Sequence, residues 1–200
     1  ASTLGLSRDP VTAAQDIMHG KSFHMDIGQL GKRYFAYVAA FGLFTGVSYQ
    51  TPQEDKQVLG RLAYFLHGVK ALGEVKPIHA RVEFENQALE LDVLDGLVCS
   101  TTSVGGVLAL DSLGISLNDG QSELLLVRDI KNLIDFNNVS TALLKSDFRE
   151  NENIVSKKVR RVHFTFDTPV DWSLDGEYGG TVTDVEIVNH QRAVNIIVPR

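Results

Sequence analysis

Alternating apolar and polar positions run along much of the chain and predict strands. Phe23, Met25 and Ile27 alternate, and the apolar run from Tyr34 to Phe41 is typical of a strand buried on both faces that pairs with the first segment as a hairpin. Further strands are predicted at 80–84, 89–93, 97–102, 123–127, 154–166, 181–188 and 193–198. Turn residues predict turns at 85–87, 95–96, 118–120 and 189–192.

Three segments have helical spacing instead. Pro10 suits the first turn of a short helix, and Pro52 precedes a stripe from Val58 to Val69 that predicts an amphipathic helix of roughly 18 residues. A further helix is predicted from Asp129 to about residue 144, with an interruption at 137–138. We therefore expect a mainly β fold, a two-layer antiparallel β-sandwich with two or three helices.

Composition narrows the class of protein. The chain has 200 residues, 44% of them hydrophobic, and contains no apolar run long enough to span a bilayer. The single cysteine, Cys99, lies in an apolar stretch, which favours a small core residue in a reducing cytoplasm. The net charge of -6 argues against nucleic-acid binding, and the six histidines lack zinc-site spacing.

The stretch from Asp171 to Gly180 holds three carboxylates, the only tryptophan and three glycines, between two alternating segments. It predicts a turn with acids at its tip. Carboxylates placed so close together can hold a proton more tightly, which suits a group that deprotonates a hydroxyl in a cleft. The alternative is a solvated acidic β-turn, because Asp-Gly is a common hairpin dipeptide.

Two other stretches carry candidate chemistry, and one isolated acid needs an interpretation. The turn Asn118-Asp119-Gly120 offers one carboxylate and exposed carbonyls to a hard cation. The basic residues from Lys157 to Arg161 predict either a charged edge strand or a cationic face for phosphate or anionic lipid. Asp26, between apolar neighbours, is interpreted as an outward-facing strand residue rather than part of a site.

Several of these stretches, in their order and spacing, resemble the carboxy-terminal part of the bacterial diacylglycerol kinase-like lipid kinases, relatives of sphingosine and ceramide kinases. The similar stretches are Met25 to Gly28, Arg33 to Phe35, Ala39 to Gly42, Leu59 to Tyr64, Asn118 to Gly120 and Val170 to Gly180. The chain departs from the family pattern at Leu110-Asp111 and at Cys99-Ser100.

The resemblance implies a domain organisation. Residues 1–18 would be the tail of an amino-terminal ATP-binding domain, and residues 19–200 a β-sandwich that binds the lipid substrate. ATP would be bound mainly by the missing domain through a Gly-Gly-Asp-Gly-Thr loop, which does not occur here. The chain would then be a fragment without cofactor-binding residues for ATP, inactive alone.

The resemblance also implies site residues and partners. Glu177, with Asp175 beside it, would accept the proton of the lipid hydroxyl, and Asp119 would bind a structural Mg²⁺ with the carbonyls of Ser116 and Gln121. Diacylglycerol is the first expected substrate, met at a membrane surface by a cytoplasmic, peripheral enzyme; a homodimer is also compatible. The alternatives are a sphingoid base, the acceptor of the more distant NAD kinases, or a non-catalytic module that binds lipid or an anionic ligand.

Overall fold

The computed structural model describes most of the chain, in the ranges 4–7, 9–42, 76–101, 103–104, 108–109, 114–145, 147–148 and 151–199. The helix predicted after Pro52 lies outside the described residues, as do Leu59 to Tyr64 and Leu110-Asp111.

The described part of the chain contains two helices, α1 (Pro10–His19) and α2 (Leu133–Lys145). Asp9 caps α1 by accepting a hydrogen bond from Thr12 N, and Pro10 begins the helix as predicted. The strands are β1 (Lys21–Leu30), β2 (Arg33–Phe35), β3 (Val38–Gly42), β4 (Ile78–Phe84), β5 (Gln87–Cys99), β6 (Ser103–Val104), β7 (Leu108–Ala109), β8 (Ser122–Arg128), β9 (Ile154–Val159), β10 (Arg161–Leu174) and β11 (Glu177–Val198).

Nine of these strands form one antiparallel sheet, in the order β2-β1-β11-β10-β3-β5-β8-β9. The ninth strand, β4, lies end to end with β3 in the slot between β10 and β5. Residues 172–174 of β10 pair with β3, while residues 162–166 pair with β4. β6 and β7 pair only with each other in the described structure.

The main core is an aromatic cluster enclosed by this sheet. Trp172 packs against Phe41 with ring centroids 4.8 Å apart, and Phe164 and Phe166 complete the group. Strands from both ends of the sheet order, including β2 and β9, add side chains to the same cluster. The sheet therefore curls around its core, and the predicted mainly β, antiparallel fold is confirmed.

A second apolar cluster lies on the outer face of β5 and β8. Leu97 and Leu125 pack there with Phe136 and Val139 of α2. Cys99 is buried in the same cluster, and burial raises the pKa of its thiol well above the usual range. The prediction that Cys99 is a core residue is confirmed.

Two predicted turns are wrong, because strand pairing overrides the local turn signals. β5 runs through Asp95-Gly96, where Gly96 gives room to the Phe41 ring: an added Cβ would lie 2.4 Å from a ring carbon. β11 runs through 189–192 with a bulge, since β1 pairs on both sides of it. In α2, by contrast, the asparagines at 137–138 cause no interruption.

Two predicted strands are each divided. The run from Tyr34 to Phe41 bends at 36–37 between β2 and β3. The segment 154–166 breaks at Arg160, so that β9 pairs with β8 while β10 pairs with β11, β3 and β4. The prediction of one continuous strand from 154 to 166 is therefore wrong.

Candidate active site

The acidic stretch forms the hairpin that joins β10 to β11. Leu174 pairs with Glu177, and the two loop residues both have positive φ, 51° for Asp175 and 92° for Gly176. This backbone suits a tight two-residue hairpin, for which Asp-Gly is a favoured sequence. The predicted turn is thus present, and its conformation determines where each carboxylate lies.

Asp175 is held by backbone amides of the β2–β3 connection. Its carboxylate accepts hydrogen bonds from Ala36 N at 2.6 Å and from the amides of Tyr37 and Val38, each at 2.9 Å. The Asp175 amide in turn donates to Val38 O at 2.8 Å. These bonds produce the bend at 36–37, and they occupy the carboxylate in holding the two loops together.

Asp171, the first acid of the stretch, is also engaged. Thr181 Oγ1 donates a hydrogen bond to Asp171 at 2.5 Å, and Tyr178 Oη lies 2.5 Å from the same Thr181 oxygen. The Tyr178 carbonyl accepts a bond from Arg33 at 2.6 Å. Asp171 is therefore the end of a hydrogen-bonded chain that includes the hydroxyl groups of Thr181 and Tyr178. Arg33 fixes the backbone next to Glu177.

Glu177 differs from both other acids of this hairpin. It is the first residue of β11 and its side chain is exposed. In the structure as described, no residue forms a hydrogen bond or ion pair with its carboxylate. Of the three acids, Glu177 is the one whose oxygens remain available to a substrate hydroxyl.

The predicted cation site lies in the loop that precedes β8. Asp119 Oδ1 accepts a hydrogen bond from Gln121 N at 3.1 Å, and Ser116 Oγ donates to Asn118 at 3.2 Å. Carboxylate and carbonyl oxygens are suitable Mg²⁺ ligands. Within the described ranges, however, no three His, Cys, Asp or Glu side chains group closely enough to hold a metal ion. A cation here would need backbone carbonyls or water to complete its ligands.

Asp26 holds this loop in place through hydrogen bonds, a role that the sequence did not reveal. The residue is 1% exposed, so its interpretation as an outward-facing strand residue is wrong. Its carboxylate accepts hydrogen bonds from Gly120 N and Arg192 N, both at 2.7 Å, while its amide donates to Leu117 O. Asp26 thus joins the loop before β8 to β1 and to the bulge of β11.

Glu123 is a second acid that the pattern did not single out. It is the second residue of β8 and is 2% exposed, and burial raises its pKa to about 7 although Lys158 opposes the shift. Lys158 Nζ lies 3.6 Å from Glu123 Oε1 and 3.6 Å from Asp119 Oδ2. The residues that follow Glu123 in the predicted strand are apolar, and this pattern did not indicate that Glu123 itself is buried.

The structure does not bring the acid turn and the cation loop together. Gln191 of β11 contacts the loop by donating from Nε2 to Asn118 O at 3.2 Å. Glu177 and Gln191 are fourteen residues apart on the same strand, which corresponds to a strand length on the order of 45 Å. Asp119 is therefore not a neighbour of Glu177, and the acid turn and the cation loop lie at separate places on the sheet.

Ion pairs occupy part of the predicted basic face. Lys158 lies beside two acids, and Arg161 pairs with Glu186 at 3.0 Å. Lys158 and Arg161 also belong to different strands, so the basic residues do not lie along one continuous strand.

Comparisons with known proteins give this fold a family context. No protein-family model matches the chain. The chain is 34% identical over 203 residues to a diacylglycerol kinase of Bacillus subtilis (strain 168), covering 100% of this chain and 65% of that protein. This chain is a homologue of the bacterial diacylglycerol kinases. The diacylglycerol kinase of Staphylococcus haemolyticus (strain JCSC1435) is 28% identical, over 98% of this chain and 59% of its own length.

Solved structures agree on the fold of this diacylglycerol kinase homologue. A diacylglycerol kinase from Bacillus anthracis str. Sterne superposes with a TM-score of 0.69 at 14% identity, over 99% of this chain and 62% of that one. A second structure from the same organism gives a TM-score of 0.78 at 18% identity, over 98% and 64%. The chain thus spans less than two thirds of the length of these relatives. In the described segments, no helix is long and apolar enough to cross a membrane.

Proposed function

We propose that this chain is the substrate-binding, carboxy-terminal part of an ATP-dependent lipid kinase that phosphorylates a lipid hydroxyl, with diacylglycerol as the first candidate. The relatives named diacylglycerol kinase support the activity, and their greater length is compatible with an additional domain. In this proposal, that domain is an amino-terminal nucleotide-binding domain whose tail is residues 1–18. The lipid would be met at the surface of a membrane, with the enzyme bound peripherally on its cytoplasmic side.

The observation that carries the proposal is the exposed carboxylate of Glu177, which has no partner among the described residues and lies beside two acids held by internal hydrogen bonds. In the proposed reaction, the alcohol oxygen forms a bond to the γ-phosphorus of ATP while its proton passes to Glu177. The bond from that phosphorus to the leaving oxygen of ADP breaks. Glu177 thereby acts as a general base.

Asp175 has a positioning role in this proposal. Three backbone amides surround its carboxylate, so it fixes the tip of the hairpin against residues 36–38. Glu177 follows two residues later, and its direction depends on that tip. The family resemblance assigned Asp175 and Glu177 together to proton transfer; the geometry supports Glu177 as the acceptor and Asp175 as the group that orients it.

ATP and Mg²⁺ would be held mainly by residues beyond this chain, and when bound they supply the phosphoryl group and offset its charge. A structural Mg²⁺ would be held in this chain by Asp119 with the carbonyls of Ser116 and Gln121. The oxygen donors of the loop fit a hard cation. The loop would stabilise the sheet near the bulge of β11, away from the acid turn.

The proposal is tested by Glu177→Gln in the parent protein, that is, this chain joined to the nucleotide-binding domain that the proposal requires. We expect kcat for diacylglycerol phosphorylation to fall by about 10²- to 10⁴-fold, the usual contribution of a general base. The assay measures transfer of labelled phosphate from ATP to diacylglycerol in mixed vesicles. Glu186→Gln, at another exposed site on β11, should retain activity.

Asp175→Asn provides the comparison within the turn. Because an amide accepts backbone hydrogen bonds less strongly than a carboxylate, this variant should lower both the melting temperature and kcat. Glu177→Gln should lower kcat alone. Near-normal turnover of Glu177→Gln would refute the assigned proton acceptor, and loss of activity only in Asp175→Asn would give Asp175 the catalytic role instead.

The alternative of a non-catalytic module that binds anionic lipid rested on the basic residues 157–161. The ion pairs of Lys158 and Arg161 remove much of that support. Salt-sensitive sedimentation of this chain with anionic vesicles, together with a parent protein that has no kinase activity, would favour the module.

A further inference from the structure

A surface groove of about 380 Å³ lies between the β4–β5 turn and the junction of β9 with β10. It is lined by Glu83, Phe84, Glu85, Arg160, Arg161 and His163. Two arginines of the basic stretch 157–161 therefore meet at one concave surface, although only Arg161 belongs to a strand. The acid turn follows the other end of β10, so the groove is separate from the candidate active site.

Both backbone polar groups of Arg160 are bound. Its carbonyl accepts a hydrogen bond from Asn189 N at 2.9 Å, and its amide donates to Glu85 Oε1 at 3.4 Å. These contacts join the β9–β10 junction to β11 and to the β4–β5 turn. The bend that separates β9 from β10 therefore has a defined place beside the groove.

The guanidinium group of Arg160 lacks a partner among the described residues. The side chain is exposed, and no residue in the described ranges forms a hydrogen bond or an ion pair with it. Arg161, by contrast, is paired with Glu186 at 3.0 Å. A guanidinium group presents a planar set of N–H donors that matches the oxygens of a carboxylate or a phosphate. Arg160 therefore offers this set of donors at the groove.

The two glutamates of the groove do not occupy these donors. Glu83 Oε1 lies 2.7 Å from Arg81 Nη2, and Glu83 Oε2 lies 3.5 Å from His163 Nδ1. Hydrogen bonds from Arg81 and, less strongly, from His163 lower the pKa of Glu83, so its ionised carboxylate already has positive partners. Glu85 accepts the Arg160 amide and forms no ion pair with the guanidinium group in the described structure.

A phosphate group suits this arrangement better than a carboxylate does. Arg160 can bind two oxygens of either group through parallel hydrogen bonds. Arg161 and His163 alternate along β10 and line the same groove. Because a phosphate has more oxygens than a carboxylate, it can meet Arg160 and one of these neighbours at the same time.

We propose that this groove binds a phosphate group, with the Arg160 guanidinium as its main contact and Arg161 beside it. The phosphate can belong to the headgroup of an anionic lipid or to a free phosphate ion, since both present the same oxygens. Binding requires neither ATP nor Glu177, so it can hold or fail independently of the proposed kinase activity.

The experiment titrates the 200-residue chain with inorganic phosphate and follows the backbone amide signals by NMR. Chloride replaces phosphate in the reference samples so that the ionic strength, and with it the screening of surface charges, stays constant. We expect the signals of Glu85 and of residues 160–163 to shift with one common Kd. The absence of shifts in this groove, or similar shifts at basic residues throughout the chain, would overturn the proposal.

Variants of the basic stretch test the main contact. Arg160→Gln should weaken phosphate binding by about tenfold or more, because it removes charge-assisted hydrogen bonds. Lys157→Gln is the matched control, since it makes the same charge change at an exposed residue of β9 that does not line the groove. Its Kd should stay within about twofold of the wild-type value. Equal losses in the two variants would attribute binding to net charge and refute the groove.

Arg160→Lys separates the shape of the guanidinium group from its charge. It should recover only part of the affinity that Arg160→Gln loses, because an ammonium group lacks the planar arrangement of donors. An affinity equal to that of the wild type would refute the paired hydrogen bonds.

Glu85→Gln tests the same groove in the opposite direction. It removes a negative charge beside Arg160 and should tighten phosphate binding by about twofold or more. Glu152→Gln, at an exposed acid outside the groove, is its control and should leave the Kd unchanged. Equal affinities in these two variants would contradict the placement of the phosphate next to Glu85.

Sedimentation with vesicles distinguishes the two sources of the phosphate group. Vesicles of phosphatidylcholine alone are compared with vesicles that also contain phosphatidylglycerol. If the anionic vesicles sediment the wild type and Lys157→Gln but not Arg160→Gln, the groove binds a lipid headgroup. If neither kind of vesicle distinguishes the variants while inorganic phosphate still shifts the groove signals, the site binds free phosphate.

Discussion

At the scale of single residues, two aspartates act as acceptors for backbone amides rather than as surface charges. Asp175 binds three amides of the β2–β3 connection, and Asp26 binds those of Gly120 and Arg192. Each carboxylate joins segments more than ninety residues apart. The sequence could show that these residues are acidic, but not which amides they meet, because the partners become neighbours only through the folded sheet.

His163 lies between two carboxylates on the outer face of the sheet and should make stability depend on pH. Its hydrogen bond with Asp184, with a smaller contribution from Glu83, raises its pKa above the ordinary value of 6.5. The charged imidazole therefore stabilises the folded state at pH values below 6.5, and that contribution is lost as the pH rises through the folded-state pKa.

We expect the free energy of unfolding of the wild type to fall, relative to His163→Gln, between about pH 6 and pH 8. Urea denaturation at several pH values measures this difference. His24→Gln, at an exposed position of β1, is the control and should follow the wild-type curve. A difference between wild type and His163→Gln that does not change with pH would contradict the assignment.

At the scale of strands and helices, local pattern predicted the elements better than their limits. Alternation located β1, β4 and the acid hairpin, since each follows from the side chains of its own residues. The path of β5 through Asp95-Gly96 was not predictable in this way. There β5 pairs with β3 on one side and with β8 on the other, and this pairing, rather than the local turn signal, determines the extended conformation of the backbone.

Gly96 should tolerate no side chain. A Cβ at this position would meet two carbons of the Phe41 ring at 2.4 and 2.5 Å and Leu126 at 3.0 Å. We expect Gly96→Ala to lower the free energy of unfolding by about 1–3 kcal/mol, as overpacking of a rigid core usually does. Chemical denaturation measures the loss.

The control for Gly96→Ala is Gln87→Ala, at the exposed first residue of the same strand. A surface substitution of this kind should change stability by no more than about 0.5 kcal/mol. An unchanged stability in Gly96→Ala would show that Phe41 can move aside, and the close packing of β3 on β5 would then not explain why the strand is continuous.

At the scale of the whole molecule, one sheet separates two apolar clusters. The aromatic core around Trp172 lies inside the curled sheet, whereas the cluster under α2 lies on the outer face of β5 and β8. The sequence predicted a mainly β fold from the number of strands. It did not predict the strand order, because β3 and β4 share one slot and the contacts that decide this join distant parts of the chain.

Phe41 links these strands through the aromatic core, so truncating it should affect the whole fold. The side chain is fully buried and contacts Trp172, Phe164 and Phe166. We expect Phe41→Ala to cost about 3–5 kcal/mol, a large part of the stability of a typical domain. Denaturation followed by the fluorescence of Trp172, the only tryptophan of the chain, measures the change.

Tyr34→Ala is the control for Phe41→Ala, because this aromatic ring is 64% exposed. Its truncation should cost no more than about 0.5 kcal/mol. Similar losses in the two variants would indicate that the aromatic cluster around Trp172 does not dominate stability.

The length of β11 has a consequence for shortened forms of the protein. β1 pairs with β11 and with the three-residue β2, so its attachment to the sheet depends on the carboxyl-terminal half of β11. A stop codon near residue 190 would remove the partners of residues 21–25 and release that half of β1, whereas residues 28–30 would keep theirs. The hydrogen bonds from residues 36–38 to Asp175 would remain. Such a truncation would therefore separate the loss of the first half of β1 from the loss of the acid turn.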